Sequence, residues 1–294
     1  MSRRGTLVAR KNPKTENMDD LRPVKTKHKL LTWIYRRPSF SLPIFKALKY
    51  FAMIGRVPLV WPLHPLLRRS NNYLINLPIN ENIKTESEFL PPAIVRQLIL
   101  RAGYIHMLDT CPCRVAYQCK KHSHDIGCIV LGATGLDIVP PMTRPISKEE
   151  ALAHVDRALE DGLVPTIARG RGDNYLFLTP DHHSLIALCF CCNCCCAVQA
   201  YQYVQPERVR PIYPWVEGLE IEVNDKCTGC GKCMDICYMN AIHIKNKKAC
   251  HTDICRGCGR CASTCPNGAV DIRMKDPAFL EKTVNKFLSI AKID

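Results

Sequence analysis

The 294-residue chain has no glycine-rich phosphate loop, no dinucleotide-binding fingerprint and no residue set arranged like a hydrolytic triad. Any flavin or nicotinamide used with it is therefore expected on another chain. Long hydrophobic runs are missing too. The most apolar part, Tyr50 to Leu67, is broken by Gly55, Arg56 and three prolines, whereas a membrane-spanning helix needs about twenty unbroken apolar residues. The opening MSRRGTLVARKNPK lacks the apolar segment of a secretory signal. We therefore expect no disulfides, and reduced thiols in a cytoplasmic, anaerobic or strongly reducing setting. Acidic residues are scarce at one end only. Residues 1–70 hold sixteen Lys/Arg against three Asp/Glu, and the rest holds 25 against 24. The net charge of +14 thus belongs to an N-terminal arm. A body without basic excess argues against nucleic acid as a partner.

Cysteine is abundant, with nineteen in the chain. Eight follow one spacing, C-x2-C-x2-C-x3-C, written twice: Cys227, Cys230, Cys233, Cys237 and then Cys255, Cys258, Cys261, Cys265. The copies are offset by 28 residues at every position, and Ala241-Ile242 against Ala269-Val270 extends the echo, so this is an internal duplication. Three thiols at two-residue gaps wrap one loop over three irons of a cubane, and the fourth thiolate must come from elsewhere. Gly229, Gly231, Gly257 and Gly259 suit backbone that passes close to a cluster and donates N–H bonds to its sulfurs. Zinc ribbons use two CxxC pairs rather than a triple followed by a fourth cysteine.

Residues 217–273 resemble a bacterial dicluster ferredoxin domain. The resemblance implies two 4Fe-4S clusters whose ligands cross over. One would take Cys227, Cys230, Cys233 and Cys265; the other would take Cys255, Cys258, Cys261 and Cys237. One departure is visible. The second run ends Cys265-Pro266, as the pattern usually does, but the first ends Cys237-Tyr238.

Ten further cysteines lie upstream. Cys111, Cys113, Cys119 and Cys128 occupy eighteen residues, with Arg114, Lys120 and Lys121 available to offset thiolate charge. Cys189, Cys191, Cys192, Cys194, Cys195 and Cys196 occupy eight. In a turn or helix, 191 and 194 or 192 and 195 would converge. We expect the two groups to meet around an additional iron–sulfur or zinc centre. Ten thiols exceed the four of one cubane or one zinc, leaving a larger cluster, two centres or a redox-active thiol pair open. His122 and His124 read as surface residues and Cys250 as a spectator.

The fold class expected is α+β: a cysteine-rich α/β domain with a winged-helix-like helix–hairpin unit, followed by a ferredoxin-like dicluster domain. Ser147 and Glu150 form a capping box before a helix over 147–163, and TIARGRGDNYLFLT reads as a hairpin turning at Gly170 to Asn174. That helix is acidic, which disfavours DNA binding. Residues 1–29 read as a flexible arm. A short amphipathic helix around Leu42, Phe45, Leu48 and Ala52 would anchor at a membrane surface, dock on a partner or pack on the protein itself. The domains expected are 1–70 (basic arm), 71–216 (cysteine-rich), 217–273 (dicluster) and 274–294 (amphipathic helix, capped by Asp276 and opened by Pro277). LPIN, CPCR, the SKEEAL helix, CxCCxCCC and the dicluster block together resemble a family of 4Fe-4S dicluster proteins of anaerobic bacteria and archaea. The function expected is single-electron transfer with a redox partner protein. The alternatives are a small-substrate reductase, and a cluster-assembly or sensor protein.

Overall fold

A computed structural model describes residues 33–34, 37–58, 60–68, 72–79, 84–85, 92–138, 143–170, 172–173, 179 and 183–294. The arm over 1–29 lies outside them. The amphipathic segment forms helix α1 (Pro38–Ile54), which starts on a proline. It buries Phe45 and Ala52 and leaves Phe40, Ile44, Tyr50, Phe51 and Ile54 exposed. No helix among the described residues is long and apolar enough to cross a membrane.

The scaffold is an antiparallel sheet in the order β1 (Asn72–Asn76), β6 (Val164–Gly170), β7 (Ile186–Cys191), β4 (Ile129–Leu131), β3 (Ile105–Leu108), β5 (Thr143–Pro145). Both of its faces are covered, which is why its strands are apolar throughout rather than alternating. Ile75, Ile129, Leu131, Ile167, Ile186, Leu188 and Phe190 pack against helices α2 (Pro92–Arg101), α4 (Lys148–Glu160) and α8 (Phe279–Ile290). Their alternates Leu74, Val130, Ala168 and Ala187 pack on the other face against Tyr201, Val209, Tyr213 and Tyr238. Because side chains alternate along a strand, Cys189 and Cys191 on β7 are directed to this second face.

The capping box forms: Ser147 Oγ accepts from the Glu150 N–H at 3.1 Å. The hairpin expected after that helix is not confirmed. Strand β6 pairs with β1 on one side and β7 on the other, in mid-sheet, and most of the expected return strand lies outside the described residues. The hydrogen-bonding edges a wing would leave free are taken up by the sheet. The last helix begins at Phe279, not at Pro277. Asp276 instead closes the preceding turn, accepting from the Ala278 N–H and pairing with Lys282.

The repeat is built on β8 (Leu219–Val223) antiparallel to β11 (Val270–Met274), with β2 (Lys84–Thr85) parallel on the far side of β11. A hairpin of β9 (Ile242–Lys245) and β10 (Lys248–His251) turns at Asn246 and Lys247, both at positive φ as a tight two-residue turn demands. Leu219, Ile272 and Met274 join the same apolar core as the six-stranded sheet and α8.

Candidate metal centres

In each copy of the repeat the first glycine and the second adopt a left-handed conformation: φ is 71° and 81° at Gly229 and Gly231, and 65° and 80° at Gly257 and Gly259. A side chain is strained there. The second glycine of each pair starts a short helix 28 residues from its twin, α6 (Lys232–Ile236) and α7 (Arg260–Thr264). The loops enclose two hollows. One, with about 340 Å³ of atom-free space, is lined by Cys227, Cys230, Cys233 and Cys265. The other, of the same size, is lined by Cys237, Cys255, Cys258 and Cys261. Backbone N–H groups aim at the sulfurs: Ala241 at Cys237 Sγ (3.3 Å), Ala269 at Cys265 Sγ (3.3 Å) and Ala249 at Cys227 Sγ (3.4 Å). Such donors stabilise cluster sulfur charge. Burial pushes the Cys258 thiol up to about 12, a cost that ligation by a cation would offset.

The upstream cysteines also come together, in two sets. Strand β7 ends at Cys191 and the chain turns over 193–195. The turn brings Cys192, Cys194 and Cys195 to Cys119, with all four Sγ atoms within 4.8 Å of one another. A tetrahedral ion with metal–sulfur bonds of about 2.3 Å needs sulfurs ~3.8 Å apart, so this set fits one ion. A cubane would spread its thiolates further. The Cys195 thiol and N–H, with Cys194, pull Cys192 down to about 4, while burial raises Cys194 to about 12. The second set is Cys111, Cys113, Cys128, Cys189, Cys191 and Cys196. Within it the free thiols of Cys111 and Cys113 hydrogen-bond to each other, as do those of Cys128 and Cys189, and Cys196 Sγ lies 2.8 Å from Cys191 Sγ. The expected 192–195 convergence forms, but Cys191 meets Cys196 rather than Cys194, because residues 191 and 196 flank the turn. His122 bonds to Asp161, and His124 bonds to the Cys119 carbonyl. Cys250 bonds weakly to the Lys248 carbonyl.

A buried chain of hydrogen bonds joins the repeat to the second set. Tyr238, next to Cys237, has its hydroxyl 3.1 Å from that of Tyr213 and accepts from the Asn76 amide. Asn76 Oδ1 accepts from Tyr213 (2.6 Å) and from Thr166 Oγ1 (2.9 Å). Thr166 Oγ1 lies 3.2 Å from Cys191 Sγ. A second link is shorter: Arg260, between Cys258 and Cys261, donates to the Cys191 carbonyl at 2.6 Å. Sequence reasoning noticed Tyr238 only as a departure. It missed Asn76, Thr166, Tyr213 and Arg260, whose partners lie 25 or more residues away along the chain. Of the three basic residues flanking Cys113 and Cys119, only Arg114 is buried.

Residues 226–269 match the model of the 4Fe-4S dicluster domain. The C-terminal part of the chain is thus a ferredoxin-like dicluster domain that binds 4Fe-4S clusters. No curated protein matches the chain, and no solved structure does.

Proposed function

We propose that this protein relays single electrons between a redox partner and a metal centre in its upstream cysteine-rich part. Cys227, Cys230, Cys233 and Cys265 hold one 4Fe-4S cluster; Cys255, Cys258, Cys261 and Cys237 hold the other. When bound, the clusters supply one-electron carriers, and the chain supplies N–H bonds to sulfur, burial and local charge, which set the potentials. Cys119, Cys192, Cys194 and Cys195 hold a single ion, which is iron where this site exchanges the electron, since zinc has no redox chemistry. The observation that carries this reading is the hydrogen-bonded chain from Tyr238 to Cys191, which connects the dicluster repeat to the upstream thiols through the protein interior. The chain would belong with the 4Fe-4S dicluster proteins of anaerobes that its CPCR and CxCCxCCC motifs resemble, working in the cytoplasm. The exposed apolar face of α1, with Lys46 and Arg56 beside it, would dock on the redox partner or a membrane surface.

An anaerobic redox titration followed by electron paramagnetic resonance tests the relay. Two one-electron cluster signals are expected, with a further electron accepted upstream. Uptake that stops at two electrons would leave only a ferredoxin. A second reading, reduction of a small substrate, is favoured by one observation. A hollow with about 460 Å³ of atom-free space lies beside exposed Cys194, walled by Phe45, Leu48 and Tyr117.

A further inference from the structure

The four-thiol site leaves six upstream cysteines unassigned, and they are not scattered. Five of them close a ring, in which Cys113 is near Cys196, Cys196 touches Cys191, Cys191 is near Cys189, Cys189 hydrogen-bonds to Cys128, and Cys128 is near Cys113; Cys111 joins it through a hydrogen bond to Cys113. Arg114 projects into this region. It is 1 % exposed and spends its N–H donors on the carbonyls of Phe190 (2.8 Å) and Ile126. Its Nε is buried without a partner. The ionisable groups that face it are the thiols of Cys111, Cys128, Cys192 and Cys196. A guanidinium is permanently charged, and a buried charge without a counter-charge is costly. Neutral thiols cannot offset it, but a thiolate-ligated centre can.

We propose that Cys111, Cys113, Cys128, Cys189, Cys191 and Cys196 form a second upstream site, distinct from the four-thiol site, that holds an iron–sulfur centre of more than one iron with Arg114 as its counter-ion. An all-sulfur donor set selects zinc, copper(I) or iron–sulfur. Six thiols exceed what one tetrahedral ion takes. Two connections from the dicluster repeat end at Cys191, one at its thiol through Thr166 and one at its carbonyl through Arg260. Zinc has no redox chemistry and would make no use of them. An electron leaving the cluster that includes Cys237 oxidises it by one and reduces this centre by one. The inference rests on the relay reading for its electron source.

The test is iron, zinc and acid-labile sulfide per chain in anaerobically purified full-length protein and its C128S, C196S and C194S variants. Two 4Fe-4S clusters account for about eight irons and about eight sulfides. We expect wild type to exceed both. C128S and C196S should fall to about eight sulfides, and C194S should lose one metal ion with sulfide unchanged. A wild-type sulfide count of eight overturns the proposal. So does the loss of the same metal by C128S and C194S. The wild-type count needs no variant, so a C128S that fails to fold still leaves the proposal open to refutation. Fewer than eight irons would instead sink the dicluster relay, a distinguishable outcome.

Discussion

The two copies of the repeat share a backbone but not a setting. The copy starting at Cys227 faces outward. Cys230 is exposed, Met234 is 40 % exposed, and a Cβ added at Gly231 would meet nothing. The copy starting at Cys255 faces inward. Cys255 and Cys261 are buried, Arg256 and Arg260 are buried beside them, and a Cβ at Gly259 would press on Ile272 and the Pro78–Ile79 segment. Duplication supplies two equivalent cages; burial then makes them different. On the relay proposed above, the outer cage would meet a partner and the inner one would pass charge into the scaffold. Fewer solvent dipoles and two buried guanidinium groups also act on the inner cluster's potential, in opposite directions.

The largest expected effect comes from removing one ligand of each copy. C230S and C258S should each lower iron by about four per chain. Only C258S should also lower Tm by several degrees, because its loop is part of the packed interior; thermal unfolding under anaerobic conditions compares them. Equal Tm losses would mean that the inner setting contributes nothing to stability. Next is Y238F, which removes the hydroxyl between Asn76 and Tyr213. Metal content should stay the same, and stability should fall by about 1–2 kcal/mol from the unsatisfied partners. Electron exchange between the repeat and the upstream centre, followed after flash reduction, should slow at least several-fold. T166V should act likewise and T166S should restore the rate. Unchanged rates in both Y238F and T166V would remove the chain from the route. Smaller again, G231A and G259A each cost about 1 kcal/mol of left-handed backbone strain. G259A should lower Tm further through its crowding, and an equal pair of Tm values would contradict the packing difference. The smallest effect should come from D225N, which removes the exposed Lys248 pair beside the outer copy. Its Tm should match wild type, since surface pairs contribute little.

Much of the repeat was legible in the sequence because cluster ligation imposes local spacing. The cysteine triplets, the glycines at positive φ and the offset of 28 all follow from that need. The Ser147 cap was legible for the same reason: its partner lies three residues away. What could not be read depends on pairing across the sheet. Nothing in TIARGRG says that a partner strand is IALCFC, and the expected return strand lies mostly outside the described residues. The same pairing sets Thr166 opposite Cys189 and puts its hydroxyl beside Cys191. Tyr238 was seen as an anomaly but not as a link, because Asn76 lies 162 residues away. The division of ten cysteines into four and six follows from a turn after β7 that composition alone does not mark.

The C-terminal helix gives the arrangement a further property. Its Phe279, Val284 and Phe287 side chains sit in the sheet's core. Just beyond it, the Gly103 N–H donates to the Ile293 carbonyl, and the Lys292 N–H donates to that of His183. The chain therefore leaves the scaffold, builds the cluster-binding loops and returns to fasten itself to where it began. A module clasped at both ends cannot swing as a tethered carrier does, so on the proposed relay charge would have to cross a gap of constant width.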